Sequence, residues 1–415
     1  MERRVVITGL GAVTPLGNDV ATTWRLLLDG RSGIGPISYF DASDLPVRIA
    51  GEVKRFDGDG LFGRREARRM DQFTQFALAA AREAVTDAGL VFDDGLKRET
   101  GALIGTAIGG MVTLLENYDA LKTAGARRVS PFMVPMMMPN APSGNVAIEY
   151  GLRGPNLAIG TACATGSHAI GESAAIIQRG DAQVMIAGGA EAIISPVAVA
   201  AFTNMGALST RNEEPTRASR PFEADRDGFV MSEGAAVLVI ESLECAQRRG
   251  ARIYAELRGY GATADAFHIT APEEGGIGAS LAIQAALERA GLPPTAVDYI
   301  NAHGTGTPLN DRTETQAIRR VFGSHADRLA VSSTKSMLGH LLGAGGAIEA
   351  LACVKSLETG WIHPTINYDR PDPECDLDFV PNVPRRAQPR IALSNSFGFG
   401  GHNGCLLFER WEADV

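Results

Sequence analysis

The chain has 415 residues, 45% hydrophobic and 21% charged, with 48 glycines spread throughout and a formal net charge of −9 at pH 7. That profile excludes disordered, collagen-like and low-complexity chains, and the length exceeds what one core usually serves, so two fused units are the simplest expectation. Five cysteines, at 163, 245, 353, 375 and 405, are odd in number and widely spaced. They support neither a disulfide framework nor a paired zinc motif, and fit a reducing, cytoplasmic setting.

Taken in chain order, the N-terminus turns polar and Gly-rich after Val5-Val6-Ile7, too early for a signal peptide. A β-branched run, Val5 to Thr8, ends in Gly9-Leu10-Gly11-Ala12, and Ile253 to Leu257 leads likewise into Arg258-Gly259-Tyr260-Gly261-Ala262. The echo continues with predicted helices Phe76 to Leu90 and Leu281 to Leu292, each ending in Ala-Gly-Leu, then strands that enter Gly/Thr turns, Ala102 to Gly110 and Val297 to Thr307. A third pair is the helix Cys163 to Arg179 before Gly180, matched by one that follows His340 and runs to Gly360. Three matched elements in one order predict a duplication. The alternation of strands and helices predicts a largely parallel sheet in each of two α/β halves, residues 1–250 and 251–415. The third-pair helices are rich in Gly, Ala and Ser and are expected at the centre, between the sheets. Residues 111–160 depart from the shared pattern and include a Met-rich stretch with Met133 and Met138, suited to a pocket or a subunit contact, or to ordinary packing. The longest mainly apolar run, Ala192 to Phe202, contains Pro196 and is too short to span a bilayer. Neither a membrane nor a nucleic acid is expected as partner.

No GxxxxGK[ST], HExxH or GxSxG occurs, and Gly9-x-Gly11 lacks the third glycine of a dinucleotide fingerprint. The run Leu157 to Gly166 reads as strand, tight turn and helix start, placing the Cys163 thiol in a first helical turn, where unpaired N–H groups favour a thiolate over the free value of about 8.5. The alternative is a small buried hydrophobe, the reading kept for the other four cysteines. His303 ends a predicted strand, where α/β folds place ligands, and His340 lies just before the second central helix. Together they occupy comparable ends of a duplicated fold; His168, His268, His325, His363 and His402 do not, and are read as structural. In Asn395-Ser396-Phe397-Gly398-Phe399-Gly400-Gly401 the glycines allow a backbone N–H to approach a substrate oxygen.

The block around Cys163 with HGTGTPLND, SSTKSMLGHLLGAGG and NSFGFGGHN resembles the signature set of the β-ketoacyl-acyl-carrier-protein synthases, nearest their KAS II branch, in order and spacing along essentially the whole chain. The resemblance implies a thiolase fold, with two duplicated α/β halves in a five-layer αβαβα arrangement, working as a homodimer. It makes Cys163 the nucleophile that accepts an acyl group from acyl carrier protein, with the N–H groups of Cys163 and Phe399 as oxyanion hole. Malonyl carrier protein is then decarboxylated, its enolate held by His303 and His340, and Lys335 keeps them neutral. Lys335 would need a buried partner, expected to be Glu314 or Asp311. Thr305 and Thr307, with Thr270, would bind the pantetheine arm. Ile108 and Phe202 would line the acyl pocket, Met133 and Met138 would reach in from the partner subunit, and Phe399 would double as a gate. No metal and no cofactor of its own is implied, because phosphopantetheine arrives on the carrier protein.

Initiating relatives pair His with Asn, thiolases use a second cysteine, and non-catalytic chain-length factors lack the nucleophile, whereas this chain has Cys, His and His. Gly306 for a frequent serine and His402 for a frequent threonine also suit ketosynthases of polyketide or long-chain acid pathways, and Met133 stands where phenylalanine is common. A Cys/His thioester hydrolase would leave the second histidine and Lys335 without a role, and a binding or structural subunit would show no decarboxylation. Because the implied carrier protein is acidic and the chain is too, local positive charge is expected to dock it. The candidates are Arg64, Arg65, Arg68 and Arg69, gathered on one side of a helix, and Arg127 and Arg128.

Overall fold

A computed structural model describes residues 3–412; residues 1–2 and 413–415, the outermost positions of the two expected halves, lie outside the described residues. The main strands are β1 (Val5–Val13), β2 (Thr100–Gly105), β3 (Asn156–Leu157), β4 (Val184–Glu191), β5 (Gly234–Ser242), β6 (Ala255–Ala264), β7 (Tyr299–Asn301), β8 (Ala330–Ser332), β9 (Ile391–Gly398) and β10 (His402–Arg410). The first five stand in the order β3-β2-β4-β5-β1 and the last five in the order β8-β7-β9-β10-β6. The two arrays match strand for strand. In one, β1/β5 and β5/β4 are antiparallel and β4/β2 and β2/β3 parallel. In the other, β6/β10 and β10/β9 are antiparallel and β9/β7 and β7/β8 parallel. Among the described residues they meet edge to edge where Val6 and Ile7 pair with Glu256 and Ala255. The sheets are thus mixed rather than largely parallel. β9 and β10 are joined by a tight hairpin, which can only reverse the chain, and the βαβ rule applies to the parallel members alone.

The main helices are α1 (Gln72–Asp87), α2 (Thr165–Arg179), α3 (Pro196–Asn204), α4 (Ile277–Ala290), α5 (Pro308–Phe322) and α6 (Gly345–Thr359). α1 starts at Gln72, before the predicted Phe76, because the Asp71 carboxylate caps it by accepting from Phe73 N–H. It covers β1 and β5, α4 covers β6 and β10, and α2 and α6 pack on each other and touch strands of both arrays. The layers run helix, sheet, central helices, sheet, helix: the thiolase arrangement.

The repeated Gly-x-Gly is what lets the outer helices lie on their strands. A Cβ on Gly9 or Gly11 would fall 2.2 or 1.9 Å from the Ala84 or Ala80 carbonyl oxygen of α1. On Gly259 or Gly261 it would fall 2.1 or 1.9 Å from that of Ala286 or Ala282 of α4. The central pair is equally close, with such an atom on Gly166 lying 2.5 Å from Ala347 N and one on Gly346 lying 2.6 Å from Ser167 N. The segment 111–160 folds into helices Met111–Ala124, Met133–Met137 and Ala141–Tyr150 and ends in the exposed edge strand β3. Among the described residues no helix is long and apolar enough to cross a membrane.

Candidate active site

Ala162–Ala164 is a single 3-10 turn and α2 begins at Thr165, so Cys163 stands just ahead of the helix rather than within its first α-helical turn. The turn is entered through Ala162 at φ 49°, an unfavourable conformation for a residue with a Cβ. Thr161 holds it: its N–H donates to Thr165 Oγ1 (2.8 Å) and its carbonyl accepts from Ala164 N–H (3.1 Å). The β9–β10 hairpin lies directly against this turn. A Cβ on Gly398 would fall 2.7 Å from Thr161 O and 3.1 Å from Cys163 N, so the bare glycine lets the hairpin lie close enough for the Phe399 N–H to favour the thiolate form of Cys163. Proximity to a helix start predicts a depressed thiol pKa, but burial reverses it. Desolvation pushes Cys163 up to about 11, against the pull of the Lys335 ammonium and the Phe399 N–H.

His303 and His340 meet edge to face across the same cavity, ring centroids 5.4 Å apart. His340 Nδ1 accepts from Leu342 N–H (3.2 Å), and His303 Nδ1 lies 3.3 Å from Lys335 Nζ, which can only donate. Burial, and after it the Lys335 charge, hold both rings well below the ordinary histidine pKa. Neutral rings whose Nδ1 atoms accept must carry their protons on Nε2. Each therefore offers an Nε2–H donor.

A cavity of about 490 Å³ is lined by Cys163, His303, His340 and Phe399 together with Ile108, Phe202, Thr270, Thr305 and Thr307. Such a site can take a thioester acyl group on sulfur and stabilise negative charge on oxygen at two separate places.

The N-terminal domain model of the β-ketoacyl synthases matches residues 2–246 and the C-terminal domain model residues 254–369. The chain belongs to the β-ketoacyl synthase family. Proteins named 3-oxoacyl-[acyl-carrier-protein] synthase 2 from Synechocystis sp. and Staphylococcus aureus are each 53% identical to the synthase, over 411 and 412 residues and 99% of both chains. Among solved structures, the ishigamide ketosynthase/chain length factor superposes with TM-score 0.93 at 37% identity, covering 99% of this chain and all of that one. A β-ketoacyl synthase from Burkholderia phymatum gives 0.91 at 37%, with the same coverage. A type II polyketide ketosynthase in complex with its acyl-carrier protein gives 0.92 at 36%, again covering 99% of this chain and all of that one.

Not every expected partner is where it was expected in the synthase. Lys335 pairs with Glu349 of α6 and donates to the His303 carbonyl (2.6 Å), not to Glu314 or Asp311. Glu314 instead accepts from the N–H groups of His303 and Gly304, both at 2.8 Å, which shapes the histidine loop. Asp311 accepts from Phe222 N–H (2.7 Å) and stands 3.4 Å from Arg226 Nε. Both carboxylates are taken up by backbone donors, whereas Lys335 Nζ lies between the His303 carbonyl and Glu349 of α6. Met133 and Met138 do not line the cavity within one chain and sit half-buried and exposed on the helix Met133–Met137 and its C-terminal cap. The arginine helix is only Arg64–Ala67, too short to align four side chains. Arg64, Arg65 and Arg68 are exposed, Arg69 lies over the Phe132 ring (4.7 Å), and Arg127 and Arg128 are exposed in a 3-10 turn.

Two groups, Glu349 and Glu191, were missed, while His168, read as structural, is so. Glu349 had a signal, a lone acid inside the apolar run Gly345 to Val354. His168 bridges the nucleophile turn to β10: its Nε2 lies 3.2 Å from Asn403 O, which only accepts, so Thr161 Oγ1 must donate to Nδ1 (2.7 Å). Glu191, buried at the end of β4 and pushed up to about 7 by desolvation, had none.

Proposed function

We propose that this synthase lengthens acyl chains by two carbons in fatty-acid synthesis through decarboxylative Claisen condensation, with Cys163, His303 and His340 as catalytic residues. The reading is carried by one observation: a buried thiol beside a backbone donor shares a cavity with two neutral imidazoles that each offer Nε2–H.

In the first half-reaction Cys163 sulfur attacks the acyl-carrier thioester. Negative charge collects on the carbonyl oxygen between the Cys163 and Phe399 N–H groups, and collapse expels the pantetheine thiolate, which takes up the proton lost by the thiol. In the second, the bond between the malonyl α-carbon and its carboxylate breaks and carbon dioxide leaves. The electron pair moves onto the thioester oxygen, held by His303 and His340 Nε2–H. The enolate carbon then bonds to the acyl carbonyl, and the C–S bond to Cys163 breaks with its electron pair on sulfur, which takes up one proton from water to restore the thiol. Neutral imidazoles suit this task because they donate without giving up a proton. Lys335, fixed by Glu349, disfavours their protonated forms. Thr305, Thr307 and Thr270 are assigned to the pantetheine arm, and Ile108 and Phe202 to the acyl chain.

The donor of both substrates is acyl carrier protein, docked by the exposed arginines Arg64, Arg65, Arg68, Arg127 and Arg128. A homodimer accounts for the edge position of β3 and for the exposed Leu114, Tyr118, Val134, Met138 and Leu157 of the segment 111–160, and would carry Met133 and Met138 toward the neighbouring cavity. A cytoplasmic location agrees with five unpaired, buried cysteines.

Mass spectrometry of the products formed from acyl-carrier thioesters of graded length and malonyl carrier protein tests the reading. It predicts 3-oxoacyl products two carbons longer than each accepted primer. Free acid without a new C–C bond would instead indicate a thioester hydrolase.

A further inference from the structure

The duplicated fold repeats the turn that carries the nucleophile. Ala162–Ala164 leads into α2 through Ala162 at φ 49°, and Leu342–Ala344 leads into α6 through Leu342 at φ 48°. Counted back from the helix starts, Gly343 stands where Cys163 stands, so the Gly343 N–H is the counterpart of the Cys163 N–H. Each turn is met by a strand from the opposite half: β9 runs against the first turn and β4 against the second. Both strands are 8 residues long, and they end in Gly398 and Glu191 respectively. At the first turn the cavity is open to a substrate oxygen. At the second, Glu191 Oε2 accepts from Gly343 N–H at 3.1 Å.

We propose that Glu191 is a positioning residue for the condensation: its carboxylate fills the duplicate of the oxyanion site and ties the cavity wall at Thr106–Ile108 to the turn behind His340. Its premise is the role given above to Cys163, His303 and His340. The carboxylate gathers four donors from two distant segments. Oε1 accepts from Thr106 Oγ1 (2.8 Å) and Ile108 N–H (3.3 Å), and Oε2 from Ala107 N–H (2.8 Å) and Gly343 N–H. Both segments reach the reacting groups. Ile108 and Leu342 line the cavity, and Leu342 N–H is the donor that sets the His340 tautomer. A carboxylate can accept from every one of these donors, whereas an amide must turn an N–H against at least one of them. The close fit also explains the glycine opposite Cys163, since a Cβ on Gly343 would fall 2.4 Å from Ala107 N and 2.7 Å from Glu191 Oε2.

The test compares parent and Glu191→Gln in three measurements: amide hydrogen exchange at Ala107, Ile108 and Gly343, acylation of Cys163 by primers of graded length, and malonyl decarboxylation. Expected are exchange faster by roughly tenfold or more at these amides, a similar loss for the longest primers relative to the shortest, and slower decarboxylation. Faster exchange with an unchanged primer profile and unchanged decarboxylation would reduce Glu191 to a structural role and overturn the proposal. Unchanged exchange would remove the tie itself. If Glu191→Gln does not fold, Thr106→Val, which deletes one donor and leaves the carboxylate, is read by the same three criteria. Should the parent neither acylate nor decarboxylate, the functional reading falls, while exchange still reports on the tie.

Discussion

His303 and His340 stand with their rings at 84° and 5.4 Å apart, and each has its Nδ1 engaged by a donor that leaves the proton on Nε2: Lys335 for His303 and the Leu342 N–H for His340. The pair is thus fixed in the tautomer that serves a developing oxyanion.

Replacing either ring by alanine should slow malonyl decarboxylation by roughly 100-fold or more, the usual loss when one oxyanion donor is removed, and should slow acylation of Cys163 far less. Stopped-flow measurement of carbon dioxide release, set beside single-turnover acylation, separates the two. Loss of acylation with decarboxylation intact would reverse the assigned roles.

Because burial and Lys335 hold both rings well below the ordinary histidine range, they stay neutral as pH falls from 8 to 6. Neither ring should therefore contribute an inflection at about 6.5, where an unperturbed histidine titrates, and any acid-side fall should come from Glu191, which burial pushes up to about 7. An acid-side fall near 6.5 that persists unchanged in Glu191→Gln would mean that at least one ring protonates there.

Cys163 has a different pH signature. With the thiol raised to about 11, its alkylation by iodoacetamide should rise about tenfold per pH unit from 7 to 9 without a plateau. A plateau near 8 would reveal a thiolate already formed. Cys163→Ala should remain folded and form no acyl-enzyme.

Lys335 and Glu349 are both almost fully buried, at 2% and 1% side-chain exposure. Lys335→Met or Glu349→Gln alone leaves a buried group without its partner and should destabilise the fold by about 3–5 kcal/mol. The double variant should recover part of that loss. Urea unfolding of the four proteins gives the coupling, and additive losses would mean that the pair does not interact.

Ile108 lines the cavity beside Cys163, so Ile108→Phe should shift acylation toward shorter primers, an added ring costing on the order of 1 kcal/mol or more where a long chain must fit. Undiminished use of the longest primers would displace Ile108 from the acyl path. On the surface, Arg64→Glu with Arg65→Glu and Arg68→Glu should raise KM for carrier-protein thioesters, most at low salt, and spare small pantetheine thioesters. Arg69 is left in place because it packs on Phe132.

What the sequence determined by itself was whatever a short local string encodes. The duplication shows because Gly9, Gly11, Gly259 and Gly261 meet the same packing demand twice, and Cys163, His303, His340 and Phe399 are legible because each lies in its own compact motif. Tertiary structure alone decided the charges. Lys335 takes Glu349 rather than Glu314 because the Glu314 carboxylate is occupied by the N–H groups of His303 and Gly304, and Glu191 finds Gly343 across 152 residues of chain. The Cys163 thiol is the sharpest case. A local turn argues for a low pKa, yet desolvation sums over neighbours from both halves of the molecule, and that sum has no local signature.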